Sequence, residues 1–279
     1  EISTRDWSSD VCSSDLSAPI TSFGPRPDSE RKETDMRAFK GLCMVTALLM
    51  LAGTVMAAGN VKATLQNGNL LIIGDTSSNE IWLTEGSSDT IYVYAYSGTT
   101  VNGQGSATFA NVTGDIKILM KAGGHNYVYM EYINVNDDLV VAMGGGSDFL
   151  ELYSVNVHDD AKIAMGDGNN RFYAYYSSIG DKMGLTTKHG SDYIYLYSTG
   201  SECKTIINTG KGNDGVECRY GWFDKLTVKA GPGNDWVALG ESQMYTLCNL
   251  NGNKGWDTLY DYGGNTAGKL KEKGFESGS

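Results

Sequence analysis

Proline is nearly missing from this chain: 4 residues in 279, three of which (Pro19, Pro25 and Pro27) lie close to the start. So few prolines exclude a proline-rich linker or stalk. Bases are outnumbered, with 22 Lys and Arg against 33 Asp and Glu and a formal net charge of −11. Nucleic acid calls for a basic stripe and an anionic bilayer surface for a polybasic one, so neither is an expected partner. Histidine occurs 3 times, as His125, His158 and His189, in no metalloprotease spacing. No Cys-x-x-Cys pair, Gly-x-Ser-x-Gly elbow or P-loop accompanies them, and catalysis is not expected.

Glycine and tyrosine are the abundant residues, 36 and 17 of them, in a chain that is 41% hydrophobic and 20% charged. That composition argues for a β-rich fold over a disordered tail or a helical bundle.

The beginning is set apart before the fold is considered. Asp10 to Leu16 resemble the translation of a sequencing-adapter oligonucleotide, so residues 1–16 read as non-native. Residues 17–35 read as upstream sequence translated in frame. Met36 then opens a signal-peptide pattern over residues 36–57: Arg37 and Lys40, an apolar stretch from Leu42 to Ala52, and Val55-Met56-Ala57 as the cleavage site. The apolar stretch is too short for a bilayer core of ~30 Å. Cys43 sits at its beginning, where it does not mark a lipid anchor. The expectation is a bacterial protein, secreted or displayed at the cell surface, without membrane insertion after cleavage. Cys203, Cys218 and Cys248 remain beyond this segment, enough for at most one disulfide among themselves.

Beyond it the sequence repeats. The turns Gly123-Gly124-His125-Asn126, Gly144-Gly145-Gly146-Ser147-Asp148 and Gly166-Asp167-Gly168-Asn169-Asn170 are followed by His189-Gly190-Ser191-Asp192 and Gly210-Lys211-Gly212-Asn213-Asp214. Gly231-Pro232-Gly233-Asn234-Asp235 and Gly252 to Asp257 complete the series. Their last residues, at 126, 148, 170, 192, 214, 235 and 257, are 21 or 22 apart. A fixed period of this length marks a stacked-repeat architecture.

Apolar residues alternate around each turn, as in half-buried strands. Two after the Asn or Asp stand Val128, Leu150, Phe172, Ile194, Val216, Val237 and Leu259; four after, Met130, Leu152, Ala174, Leu196, Cys218 and Leu239. Seven before stand Leu119, Val141, Ile163, Leu185, Ile207 and Val228, and nine after, Val135, Val157, Ile179, Ser201, Phe223 and Met244. Three strands per repeat predict an all-β, three-sided parallel β-solenoid over residues 111–265. Its coils of about 22 residues stack ~4.8 Å apart. Residues 58–110 are strand-like but out of register and read as an irregular N-terminal β cap, which such a stack needs over its open edge. Residues 266–279 show no period and read as a disordered tail.

The spacing resembles that of secreted bacterial right-handed parallel β-helix proteins. The Gly-x-Gly-x-Asp turns resemble the glycine-aspartate repeats of RTX-type, haemolysin-type calcium-binding proteins, although that family repeats every nine residues and keeps a glycine where this chain has Met143, Met165, Thr187, Thr209 and Ala230. The second resemblance implies Ca²⁺ at Asp148, Asp192, Asp214, Asp235 and Asp257. Aspartates stacked ~5 Å apart repel by roughly 3 kcal/mol per pair at an effective dielectric of 20, which a cation would relieve. The alternative is a structural turn in which the side chain accepts backbone N–H groups. A second acidic column, Asp115, Asp137, Asp159, Asp181 and Asp224, falls on another corner.

Outward positions after the turn are aromatic: Tyr129, Tyr173, Tyr195 and Tyr260 three after, Tyr153, Tyr175, Tyr197 and Tyr262 five after, with Tyr127, Phe149, Tyr193 and Trp236 beside them. Strand propensity accounts for part of this. A broad aromatic area also suits a glycan or a cell-surface partner, with Glu131, Glu151, Glu217, Arg171 and Arg219 as polar neighbours. A polysaccharide lyase or glycoside hydrolase of the β-helix type is the competing reading. Glu151 and Glu217, three coils apart, are too distant to share one glycosidic bond.

Overall fold

Alternating burial on every strand gives the coils their inside and outside. In the computed structural model, which describes residues 59–121 and 123–276, these residues form strands and turns with no helix. The expectations placed on residues 1–57 fall outside the described residues.

Three columns run through the stack. Strands leaving the turns pair in parallel, Val128 on Leu150, then Phe172, Ile194, Val216, Val237 and Leu259. Strands entering the turns pair Ile118, Val141, Ile163, Leu185, Ile207, Val228 and Leu250. The short third strand pairs Val135, Val157, Ile179, Ser201, Phe223 and Met244. All are buried except Leu259 on the last coil, which is partly covered. Each fully buried apolar side chain is worth about 1.5–3 kcal/mol, so like stacked on like builds the core.

One inward residue differs from expectation. Leu119 pairs with Ala142 and is half-exposed, while Ile118 takes the inward place opposite Val141. The first corner is one residue longer than the next, since Ile118 to Val128 spans one residue more than Val141 to Leu150.

The third side also changes along the stack. Asn134–Val135, Asn156–Val157 and Ser178–Ile179 are separate two-residue strands. Further on they merge with the following strand as Gly200–Asn208, Trp222–Lys229 and Gln243–Asn251, with register shifts between Ser201 and Lys204 and between Phe223 and Lys225. Between the aromatic and short strands the chain turns through one left-handed residue, Tyr132, Ser154, Tyr176, Ser198 or Tyr220, with φ from 46° to 53°. Each of these donates its N–H to the next coil, as Tyr132 does to the Tyr153 carbonyl at 2.9 Å, so the ladder is unbroken at the corner.

The N-terminal region combines solenoid and cap. Asn69–Ile73 and Glu80–Glu85 pair in parallel with the first repeat, at Ile116–Leu119 and Tyr127–Glu131. Antiparallel partners cover their outer edges: Asn60–Gln66 on the first, Ile91–Tyr96 followed by Ser106–Phe109 on the second. This shields the backbone edge of the first coil. At the other end, the tail expected to be disordered continues the stack. Thr266–Ala267 pairs with Gln243-Met244 and Leu270–Lys273 with Cys248 to Asn251. These residues are exposed because no described coil lies beyond them. Backbone pairing is indifferent to the side-chain period, which is why a charged sequence can extend it.

Candidate functional site

The turn carboxylates point inward. Asp148, Asp192, Asp214, Asp235 and Asp257 are only 1–3% exposed, as are Asn126 and Asn170, and Asn79 heads the same column from the cap. Each accepts, on Oδ1, the backbone N–H of its counterpart one coil earlier. Asn126 donates to Asp148 at 2.7 Å, Asp148 to Asn170 at 2.9 Å, Asn170 to Asp192 at 2.7 Å, Asp192 to Asp214 at 2.8 Å, Asp214 to Asp235 at 2.8 Å and Asp235 to Asp257 at 2.9 Å. The close stacking requires glycine nearby. Gly212 has φ of 145°, and a Cβ on it would fall 1.5 Å from the Gly190 carbonyl oxygen.

Asparagine and aspartate differ in the second branch. Asn126 Nδ2 donates to the Met143 carbonyl at 3.1 Å, and Asn170 Nδ2 to the Gly168 carbonyl at 3.0 Å. Among the described residues, Oδ2 of all five aspartates is buried without a hydrogen-bond partner. Because Oδ1 is held in the same way, Oδ2 faces the place where the asparagine amide finds carbonyls, and an ionised carboxylate has nothing to donate. Burial pushes Asp148 and Asp214 up to about 6 and Asp235 to about 7, and raises Asp192 as well. The hydroxyls of Thr187 and Thr209 stand beside Asp192 and Asp214. Both already donate to carbonyls, of Thr209 and Ala230, leaving an oxygen lone pair that a protonated carboxyl can use.

The other acidic column is superficial. Asp137, Asp138 and Asp159 bring carboxylate oxygens together at an exposed corner, where Asp138 pairs with Lys162 at 3.2 Å and Asp159 with His158 at 3.0 Å.

The outward side of the strands leaving the turns forms one aromatic face. Ring centroids connect Tyr127 to Phe149 (4.5 Å), Phe149 to Tyr173 (5.2 Å), Tyr173 to Tyr193 (5.7 Å), Tyr193 to Trp236 (5.7 Å) and Trp236 to Tyr260 (6.4 Å). Trp236 lies over Gly215, whose missing Cβ leaves room for the indole. Tyr195, Tyr175, Tyr197 and Tyr153 join at 5.7–6.4 Å, and Trp82 of the cap meets Tyr129 at 5.9 Å. The residues expected on this face, Tyr129, Tyr153, Tyr173, Tyr175, Tyr195, Tyr197, Tyr260 and Trp236, therefore do share it. Tyr153 is more deeply covered than an outward residue usually is, with Tyr132 and Tyr176 edge-on against it.

Carboxylates punctuate the face. Glu217 accepts the Tyr193 hydroxyl at 3.0 Å and pairs with Arg219 Nε, and the Arg219 guanidinium lies 4.4 Å from the Tyr262 ring centre. Glu151 is only 3% exposed, and burial, with Glu131 nearby, pushes it up to about 7. Tyr195 is raised to about 12, first by burial and then by Glu217. The described residues that sequence reasoning passed over are Asn79, Trp82 and the depth of Glu151. For Asn79 a signal existed, in the small polar turn Asp75 to Asn79 ahead of the alternating Ile81 and Leu83.

No protein-family model matches this chain, and neither curated proteins nor solved structures include a match to it.

Proposed function

We propose that this solenoid is an exported bacterial structural and binding module, working outside the cell or at its surface, whose tyrosine face holds a polysaccharide. The observation that carries the reading is the unbroken path of rings from Tyr127 to Tyr260 across the sheet. Aromatic planes offer area at low entropic cost to the C–H faces of sugar rings, and the phenol hydroxyls and carboxylates between them can meet sugar hydroxyls. A run of aromatic side chains this long on one face exceeds what strand propensity needs. A chain-like ligand suits it better than a small molecule, because the face is a sheet surface and not an enclosed cavity.

A binding role is favoured over hydrolysis. Glu151 and Glu217 stand three coils apart, roughly 14 Å at the usual strand spacing, beyond the separation of an inverting pair. The test is affinity electrophoresis of the purified protein through gels containing soluble glucans, mannans, xylans or chitosan, with tryptophan fluorescence as a second readout. Retardation in at least one gel is expected, reduced at least fivefold in apparent affinity by Tyr195→Ala at a temperature where circular dichroism shows the variant still folded. Free migration in every gel would refute the glycan reading.

A further inference from the structure

Glu151 stands near the middle of the aromatic face, and none of the described residues supplies it with a counter-charge. Its in-register neighbours are Tyr129 and Tyr173, and Phe149 and Tyr153 flank it on its own strand. Only 3% of the residue is exposed. Among the described residues no hydrogen bond or ion pair reaches its carboxylate, and the one charged group acting on it is another acid, Glu131. A carboxylate in this setting is costly unless it finds a counter-charge.

The same fold shows how that requirement is met. Glu217 occupies the equivalent place in the repeat, reached from Glu151 through Tyr173 and Tyr195. There the chain supplies its own cation: Arg219 pairs with Glu217 and rests on the Tyr262 ring, while the Tyr193 hydroxyl donates to the second carboxylate oxygen. At the Glu151 strand the residue two further on, where Arg219 stands in the other coil, is Tyr153. The carboxylate and the rings are present, and the described residues supply no cation.

We propose that Glu151, with Tyr129, Tyr173, Phe149 and Tyr153, takes that cation from outside as the protonated amine of an amino sugar, making amine-bearing glycans the preferred ligands of this face. The proposal rests on the glycan reading above. An ammonium group brings the charge that Glu151 lacks and is attracted by the negative faces of the surrounding rings. A neutral glycan leaves the carboxylate desolvated and unpaired. An acidic one brings a second negative charge to Glu151 and is repelled.

The test uses three probes of equal length in isothermal titration of the purified protein: a glucosamine hexamer, an N-acetylglucosamine hexamer and a glucose hexamer. Wild type is expected to bind the glucosamine hexamer at least tenfold more tightly than the other two. Glu151→Gln should remove the preference, bringing the glucosamine hexamer to the level of the other two. Titration at pH 6 in two buffers of different ionisation enthalpy adds a readout of mechanism. Glu151, raised to about 7, holds a proton in most molecules at that pH and must release it to pair with the amine. The number of protons exchanged on binding should therefore differ between wild type and Glu151→Gln, because only in wild type do a carboxyl and an amine shift each other's titration. The variant also removes a buried charge, so its melting temperature at pH 8 should equal or exceed that of wild type, which separates lost binding from lost folding. Equal affinity for all three hexamers, or a preference for the amine that survives Glu151→Gln, would overturn the proposal and leave the glycan reading standing. Binding of none of them, together with free migration in the polysaccharide gels, would overturn both.

Discussion

Asn170 fills both branches of its side chain, accepting the Asp148 N–H and donating to the Gly168 carbonyl, while Asp148 and Asp192 on either side of it fill one. An ionised aspartate here leaves a buried oxygen facing acceptors. A proton on Oδ2 turns the carboxyl into a near copy of asparagine, and the raised pKa values express that preference. Asp214→Asn should thus stabilise the fold at pH 8 by on the order of 1–3 kcal/mol and change little at pH 5, as read by urea denaturation. A cation could satisfy the same oxygen, although Ca²⁺ takes six to eight oxygen ligands and each aspartate here has one already committed to a backbone N–H. Melting at pH 8 in EDTA and in millimolar Ca²⁺ separates the two: proton-held aspartates give coincident curves, and a rise in wild type that Asp214→Asn abolishes marks calcium. The inward direction of these residues was legible in the sequence, because Asn126 lies two before Val128 and four before Met130, on the same side of an alternating strand. Glycine-rich turns are normally solvated, and that expectation masked the parity.

Among the elements, the strand Phe149–Tyr153 shows how far alternation reaches. It placed Leu150 and Leu152 inside, as the structure has them, and Tyr153 on the outward face, where its ring meets that of Tyr175. It gave no warning that Glu151 and Tyr153 would be covered, since depth on an outer face depends on how long the neighbouring side chains are and which way they lean. Leu150→Asp should put an unpaired charge into the coil and cost at least about 3–4 kcal/mol, enough to loosen the coils on either side. Tyr153 is too well packed for a neutral control. Tyr245, far more exposed, serves instead, and Tyr245→Ser should stay within about 0.5 kcal/mol. Equal losses for Leu150→Asp and Tyr245→Ser in chemical denaturation would mean the inward columns are misassigned. Gly212→Ala meets a different obstacle, a left-handed φ and the Gly190 carbonyl of the preceding coil, and it should destabilise by more than the ~1 kcal/mol of an ordinary glycine replacement. The slip from Ile118 to Leu119 has a local origin too: a repeat counted back from the aspartate assumes corners of one length, and the first is longer.

For the molecule as a whole, the aspartate column makes stability depend on pH in an unusual direction. Acids whose folded pKa lies above the unfolded value of ~3.9 bind more protons in the native state. Their contribution is then greatest at and below that unfolded value and is lost as pH rises through the folded values. For Asp148, Asp214 and Asp235 those values are about 6, about 6 and about 7, and Glu151, raised to about 7, acts in the same sense. Asp159 is shifted the other way by His158, but both are exposed and count for little. Stability should therefore fall between pH 5 and pH 8 by several kcal/mol in all, an order-of-magnitude figure because neighbouring aspartates titrate together. Coils contact mainly their neighbours, so the loss should be regional. From Asp192 to Asp257 four aspartates stand on consecutive coils, whereas Asn126 and Asn170 separate Asp148 from like charge on both sides. Hydrogen exchange at pH 8, corrected for intrinsic rates, should show Gly215–Arg219 and Trp236–Gly240 opening before Phe149–Tyr153, with the difference narrowing at pH 5. A urea midpoint that is flat or rising from pH 5 to pH 8, with uniform protection along the stack, would mean that the aspartates remain charged inside the fold and that something other than a proton satisfies them.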